Sequence, residues 1–251
     1  MAADHRTNKG RIALVGSLLI VGLLSTGCQS SAQRDNAQGV QLYQQGQFNA
    51  AMQSFQQAIT AQPQSPDGYY NLASVTHRVG VQRKDPQMLA QAEQLYNQSL
   101  DLNPNQADCY RGLAVLLVET NRQDKAFTLI NGWAQRQPAS AEPRIELARL
   151  YEEFGQRQQA QLALEDAIQK DPNNPRAWLA LGQAREKSGD LQQALANYQR
   201  SYMLNPQQPM VEQRIASINQ QLSLSAPTMN PAPLSAGGTQ VVQTPTQPPR
   251  Y

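Results

Sequence analysis

Apolar residues recur three and four positions apart along much of the chain between residues 33 and 222, which is the spacing of one face of an α-helix. Glycines interrupt this pattern at Gly46, Gly80, Gly155 and Gly189, inside stretches that each end near a proline. Glycine favours a turn between helices, and proline stops a helix. Each stretch therefore predicts two amphipathic helices joined by a turn, and the chain predicts an all-α fold.

The pattern repeats with a period of 34 residues. The closing prolines are Pro63, Pro104, Pro138, Pro172 and Pro206, so one copy is seven residues longer than the others. An alanine column keeps the same step at Ala51, Ala92, Ala126, Ala160 and Ala194. A column of small residues contains Gly39, Ala73, Ala114, Ala148 and Gly182, and a column of larger ones contains Phe55, Tyr96, Ile130, Leu164 and Tyr198. Small residues let paired helices approach closely, and the copies must stack because one pair cannot bury both of its faces.

The best-formed copy, Arg176 to Pro206, reads RAWLALGQAREKSGDLQQALANYQRSYMLNP. A small residue, alanine, an aromatic residue and proline at this period resemble the tetratricopeptide repeat (TPR). The resemblance implies a right-handed superhelical solenoid of about five TPR helix hairpins plus a C-terminal capping helix. We expect the solenoid over residues 35–224, with repeats at about 32–65, 66–106, 107–140, 141–174 and 175–208 and the capping helix at 209–223.

Two copies depart from the pattern. The second copy contains the additional stretch VQRKDPQM, and we expect a loop over residues 81–87 that projects at the turn between its helices. Asp85 and Pro86 have the residue types of an N-cap and a first helical position. In the third copy, Trp133 stands where Ala58 and Ala167 stand in other copies, and we expect it to fill the core.

The N-terminal region has the layout of a secretory signal. Residues 1–11 are net basic, residues 12–24 form a 13-residue apolar run, and small residues follow up to Cys28. The run is shorter than the ~20 residues that span a bilayer. This layout resembles the lipobox of bacterial lipoproteins, although Ser25 stands where that family usually has Leu. The resemblance implies a signal peptide over 1–27, acylation of Cys28 with fatty acids such as palmitate, and a short tether over 28–34; a soluble secreted form or an uncleaved anchor are the alternatives.

The composition is polar but weakly charged. Glutamine accounts for 38 of 251 residues, and only 16% of residues are charged. The net charge of +2 comes from residues 1–27, and the remainder holds 18 basic and 18 acidic side chains. Nucleic-acid binding requires a net basic surface, so this balance argues against it. Residues 225–251 contain six prolines and few residues that could pack, which predicts a disordered tail.

Few residues are suited to catalysis. Outside the predicted signal the only histidine is His77, which we expect at the surface, and Cys109 is expected to pack as a small apolar residue. The sequence has no glycine-rich phosphate loop and no metal-ligand spacing. We therefore predict no catalytic residues, no metal and no cofactor. An exported envelope enzyme with a carboxylate-based site is the alternative, because such a site needs no histidine.

By the resemblance, the first helix of each repeat lines a concave groove that holds a peptide or helix of a partner protein. The implied groove residues are Asp67, Tyr70, Ser74, His77, Asp108, Arg111, Val115, Glu119, Glu142, Ile145, Arg149, Glu152, Arg176, Leu179, Gln183 and Glu186. The sequence thus predicts a membrane-anchored scaffold or adaptor in envelope assembly, whose partners are other envelope proteins. Gln29 favours the periplasmic face of the outer membrane as its location.

Overall fold

The computed structural model describes residues 18–225, with side chains described from residue 31 to residue 224. Within this range the chain forms eleven α-helices and no strand. They are α1 (Leu18–Gln44), α2 (Phe48–Ala61), α3 (Pro66–Arg83), α4 (Pro86–Leu102), α5 (Ala107–Glu119), α6 (Gln123–Arg136), α7 (Glu142–Glu153), α8 (Arg157–Lys170), α9 (Pro175–Lys187), α10 (Leu191–Leu204) and α11 (Pro209–Ser225). Each helix packs on the next in the chain, and the first helices of successive hairpins also touch. The predicted all-α solenoid of five hairpins and a capping helix is confirmed.

The residue columns of the sequence form the interior of each hairpin. All five alanines of the alanine column are completely buried, and no side chain of the large column is more than 2% exposed. A methyl group placed on Gly39 would lie 2.5 Å from the Phe55 ring, and one on Gly182 would lie 2.9 Å from the Tyr198 ring. Because such distances leave no room for a side chain, the small column sets how closely the two helices of a hairpin pack.

Glycines form the turn in three of the five hairpins. Gly46, Gly155 and Gly189 adopt left-handed backbone angles with φ of +75°, +69° and +86°. Glycine takes this conformation without the steric penalty that a side chain brings. The third hairpin uses Asn121 instead, at φ +58°, and asparagine is among the residues that tolerate this region best.

The loop predicted over residues 81–87 is wrong, because most of the additional residues of the second hairpin are helical. The additional residues lengthen its helices to 18 residues in α3 and 17 in α4, and only two residues lie between them. Gly80 remains helical and allows close contact with Leu89, while Lys84 takes the left-handed position at φ +52°. Valine, glutamine and arginine after Gly80 do not break a helix. Asp85 is the N-cap of α4 as predicted, because its Oδ1 accepts from the backbone N–H of Gln87 at 2.9 Å.

Trp133 fills the core, as predicted. Its side chain is 1% exposed. The indole stacks on the ring of Tyr110, with 4.3 Å between ring centroids and 5° between ring planes. Arg136 lies over the Tyr110 ring, and its guanidinium donates to the Tyr110 hydroxyl oxygen at 2.7 Å. The larger ring is therefore accommodated by a stacked aromatic pair between α5 and α6.

Helix α11 covers the open end of the last hairpin. Val211 and Ile218 are buried against α10. Glu186 of α9 accepts from the Tyr198 hydroxyl at 2.7 Å and from Arg214 Nε of α11 at 2.9 Å. Burial raises the pKa of Glu186, but the hydrogen bonds from Arg214 and Tyr198 outweigh it and leave this pKa lowered. Burial and the bond to Glu186 raise the pKa of Tyr198.

The N-terminal helix α1 starts before Cys28 and passes through residues 28–34. The short tether predicted over 28–34 is therefore part of α1 and not a separate segment; alanine, glutamine and arginine, which are frequent between residues 32 and 38, favour helix. Between residues 18 and 225 no helix has both the length and the apolar character needed to cross a bilayer. Residues 1–17 of the predicted signal and residues 226–251 of the predicted tail lie outside the described residues, as does the Cys28 side chain. The signal, its cleavage, the acylation and the tail therefore remain predictions.

Candidate binding groove

The first helices of hairpins one to three, α1, α3 and α5, line a groove that encloses about 520 Å³. We call it the main groove. Seven of the residues predicted from the sequence line it, namely Tyr70, Ser74, His77, Asp108, Arg111, Val115 and Glu119. Its floor includes Phe55 and Tyr96 from the second helices α2 and α4. The predicted first-helix positions of hairpins two and three therefore share one concave surface.

Besides the floor residues Phe55 and Tyr96, three exposed apolar side chains of the main groove were not predicted. Val40, Tyr43 and Val81 line it and are 37%, 36% and 41% exposed. The repeat itself carries the signal for two of them, because Val40 and Tyr43 stand 34 residues before Ser74 and His77. Val81 was assigned to the predicted loop, and it reaches the groove because α3 continues to Arg83. The first hairpin therefore also contributes side chains to the groove.

His77 lies in the wall of the main groove and is buried, with 8% of its surface exposed, so its expected surface position is wrong. Its Nε2 is 2.6 Å from Glu119 Oε2, and its Nδ1 is 3.4 Å from the Tyr96 hydroxyl. The Tyr96 hydroxyl donates to Ser74 Oγ at 3.5 Å. Burial raises the pKa of Tyr96, so this phenol stays protonated. The polar groups between α3, α4 and α5 are thus joined in one chain of hydrogen bonds.

A second cavity of about 260 Å³ follows between α5, α7 and α9. Its lining includes Arg111 again, together with the predicted residues Ile145, Arg149, Glu152, Arg176, Leu179 and Gln183. At its centre is Glu146, a residue not predicted from the sequence, which is 1% exposed. This cavity shares Arg111 with the main groove, and its lining combines apolar residues with several charged ones.

Glu146 is the shared acceptor of three arginines from three successive first helices. Its Oε1 accepts from Arg111 Nε at 2.9 Å and from Arg176 Nη2 at 3.4 Å, and its Oε2 accepts from Arg149 Nε at 3.1 Å. The bond to Glu146 raises the pKa of Arg111. A buried carboxylate requires such compensation, since an unpaired charge is strongly disfavoured away from water. Arg111 and Arg176 therefore link successive hairpins through Glu146, whereas Arg149 pairs with it within α7.

The sequence does contain a signal for Glu146. In the repeat, with the longer step of the second copy, it stands in the column of Ala37, Asn71, Gly112 and Ala180, where three of the other four copies have a small residue. A carboxylate at a position of close helix packing must find partners, and the arginines of the neighbouring copies supply them. The signal is therefore a break in a column of the repeat.

Three predicted groove residues lie outside both cavities. Asp67, at the start of α3, accepts from Gln106 Nε2 at 3.1 Å. Glu142 is bound by Arg176 and by Asn174. Glu186 is bound by Tyr198 and Arg214 of the C-terminal end. Each is held by another residue of the chain at the edge of the concave surface.

The described residues carry little further chemistry. Cys109 is completely buried, its Sγ donates to the Tyr96 carbonyl oxygen at 3.2 Å, and burial raises its pKa to about 12. The predicted packing of Cys109 in the core is confirmed. No group of three or more histidine, cysteine or carboxylate side chains able to hold a metal ion occurs within residues 31–224. What the arrangement offers is a concave surface with apolar pockets and hydrogen-bonding groups.

Comparison with known proteins extends over most of the solenoid. A family model described as TPR repeat matches residues 39–80, and one described as tetratricopeptide repeat matches residues 89–141 and 145–209. No curated protein sequence matches the chain. Neither matching family is a catalytic one, and TPR repeats are typical of proteins that act as scaffolds for other proteins.

Solved TPR structures resemble the chain in fold. A thermophilic TPR protein from Thermus thermophilus is 24% identical, with a TM-score of 0.54 over 75% of this chain and 99% of that chain. A tetratricopeptide repeat protein from Parabacteroides merdae is 13% identical, with a TM-score of 0.53 over 81% of this chain and 86% of that one. At these identities the likeness shows the fold alone. The family matches, in contrast, cover more than half of the chain. The chain therefore belongs to the tetratricopeptide repeat family.

Proposed function

We propose that this TPR protein is a lipid-anchored scaffold or adaptor of the bacterial cell envelope, which receives a peptide or helix of a partner protein in its main groove. Its site of action is the periplasmic face of the outer membrane, and its task is to bring envelope proteins together during assembly. It performs no chemistry on its partner and requires no metal or cofactor.

The main groove carries this proposal. It combines apolar side chains that the chain itself leaves partly exposed with a wall of hydrogen-bonding groups, and its volume of about 520 Å³ is in the range of ligand-binding clefts. Grooves of this kind hold a partner segment by inserting its apolar side chains into pockets and bonding its polar groups. A scaffold role fits binding in such a groove, as is typical of TPR proteins.

The anchor rests on the sequence around Cys28. A short apolar run that ends in small residues before a cysteine supports export and acylation. Each buried methylene of an acyl chain contributes about 0.8 kcal/mol to membrane binding, and stable attachment takes more than one chain. Acylation at the first residue of the processed chain would hold the solenoid near the membrane surface.

The groove is tested by capture of partners from cells. The full chain, tagged at its C-terminal tail, is crosslinked in cells and purified, and captured proteins are identified. Val115, which lines the main groove, is replaced in V115E, and the matched control L162E changes an exposed residue of α8 that is 58% exposed. We expect V115E to lose a partner that the control retains. Retention of every partner by V115E contradicts the groove as the binding site.

The anchor is tested separately. Cells supplied with radioactive palmitate should label the wild-type protein and not C28A, and the wild-type protein should sediment with outer membranes. A wild-type protein that carries no label and remains in the soluble periplasmic fraction contradicts the lipid anchor while leaving the groove proposal intact.

A further inference from the structure

The main groove leaves three of its apolar side chains partly uncovered. Val40 and Tyr43 of α1 and Val81 of α3 are each more than a third exposed, although they line a concave surface together with Tyr70. Large apolar side chains exposed singly are ordinary on soluble proteins, whereas several on one concave surface mark an interaction site. A large apolar side chain from a partner is the group that would cover them.

The main groove also contains Arg78, a charge that no described residue neutralises. Arg78 lines the main groove, is exposed, and makes no ion pair with any described residue. The other charged groups of the groove are engaged: Arg111 binds Asp108 at 2.8 Å and Glu146 at 2.9 Å, and Glu119 binds His77 at 2.6 Å. Arg78 is therefore the free charge that the groove offers to a partner.

Arg78 and the apolar surface are close along the helix. Arg78 follows Ser74 by four residues and precedes Val81 by three, so all three lie on one face of α3, one turn apart. A guanidinium binds a carboxylate through two parallel N–H donors, and it does so more strongly beside apolar walls than in open water. A partner carboxylate one helical turn away from the seated apolar side chain would bind the Arg78 guanidinium.

We propose that the main groove selects partner segments in which a large apolar side chain stands within one turn of an aspartate or glutamate. The apolar side chain seats against Tyr43 and Val81, and the carboxylate binds Arg78. This inference rests on the proposed function, because it names the chemistry of the segment that the same groove receives. The chain's own residues 226–251 contain no aspartate or glutamate, so this tail lacks the required pair.

The test uses a display library of random twelve-residue peptides, selected on the full chain held in detergent micelles. Selection on wild type should enrich Asp or Glu within four positions of Phe, Leu, Ile or Trp. Selection on R78E should enrich Lys or Arg at the same spacing. The control K125E alters an exposed lysine of α6 that makes no ion pair with the described residues, and it should return the wild-type pattern.

The selected peptides are then titrated. R78A should weaken a selected acidic peptide by about two- to five-fold, as for a partly exposed ion pair, and R78E by about tenfold or more because like charges then face each other. Y43A should weaken it by about tenfold, since buried aromatic contacts dominate such interfaces. Circular dichroism of each variant checks that it remains folded.

The inference fails if the acidic residues are not enriched, if R78E gives the same preference as wild type, or if crosslinks from residue 81 in cells lead to the chain's own tail or to a second copy. These outcomes can be told apart from failure of the proposed function. If Y43A abolishes binding while R78E does not alter it, the groove binds but its charge preference is wrong. If neither variant alters binding, the groove itself is not the site.

Discussion

Glu146 should contribute more to stability than any exposed carboxylate of the solenoid. Replacing it in E146A leaves the guanidinium groups of Arg111, Arg149 and Arg176 without their shared acceptor. Removing one partner of a buried ion pair typically destabilises a protein by about 3–5 kcal/mol. The three arginine side chains are 33%, 35% and 46% exposed, so water can partly solvate them, and we expect the lower end of this range, about 3 kcal/mol.

The assay is thermal unfolding of the full chain followed by circular dichroism. For a chain of this size, about 1 kcal/mol corresponds to a shift of 2–4 °C in Tm, so E146A should unfold roughly 6–12 °C below wild type. The matched control is E153A, which removes a 40% exposed carboxylate that lies 3.7 Å from Arg149. Exposed pairs of this kind contribute about 0–1 kcal/mol. E146Q keeps an acceptor oxygen but loses the charge, and it should fall between the two.

The reasoning is refuted if E146A unfolds within about 2 °C of E153A. That result would mean that the three arginines regain their solvation without cost and that Glu146 does not link α5, α7 and α9. It would also free Arg111 and Arg149 as contacts for a partner. The expected result instead makes them poor probes of binding, because replacing Arg111 would disturb the contact between α5 and α7, and replacing Arg149 would leave Glu146 with one compensating charge fewer.

Three further predictions concern packing, the thiol and the cap. G182A should destabilise the chain by about 1–3 kcal/mol because its methyl group would meet the Tyr198 ring at 2.9 Å, whereas G132A, which meets only a flexible guanidinium at 3.4 Å, should stabilise it by up to about 1 kcal/mol in urea unfolding. In C28S, Cys109 should react with a thiol reagent at pH 8 only after unfolding, because burial raises its pKa to about 12. The interactions that lower the pKa of Glu186 stabilise the folded chain above pH 4.5, the ordinary pKa, and this stabilisation is lost as the pH falls through the folded pKa. Wild type should therefore lose more stability than E186Q between pH 6 and pH 3.

Each of these three predictions has an outcome that would contradict it. Equal effects of the two glycine substitutions would mean that the hairpin can open to admit a side chain. Rapid labelling of Cys109 in the folded protein would place the thiol at the surface. Parallel loss of stability in wild type and E186Q would show that Glu186 does not couple the end of the solenoid to pH.

Most of the fold could be predicted because the repeat columns encode helix packing directly. Ala51, Gly39 and Phe55 have counterparts in every copy, at steps of 34 residues except for one of 41 across the insertion, so one copy explains the others. The error over residues 81–87 arose where the step changes, because an insertion can lengthen two helices as readily as it can form a loop. Helix propensity alone does not decide between a loop and two longer helices. The close tertiary packing at Gly80 favours the longer helices.

The groove was predicted less completely than the fold. Its lining by the first helices follows from the repeat, but burial of His77 depends on Tyr96 and Glu119, which belong to other helices. The central position of Glu146 likewise depends on arginines 35 residues before it and 30 residues after it. Contacts between copies combine residues whose types vary from copy to copy, so a break in a column can mark Glu146 but does not show which residues it contacts.

The most direct test of the account is photocrosslinking in living cells from single positions of the full chain. A photoreactive amino acid at position 81 of the main groove is compared with one at Met203 of α10, which is 70% exposed and does not line the groove. The account predicts a crosslinked partner protein from position 81, absent from position 203 and lost in Y43A. Equal crosslinking from both positions, or a product from position 81 that Y43A does not reduce, would contradict the groove as the place where this protein works.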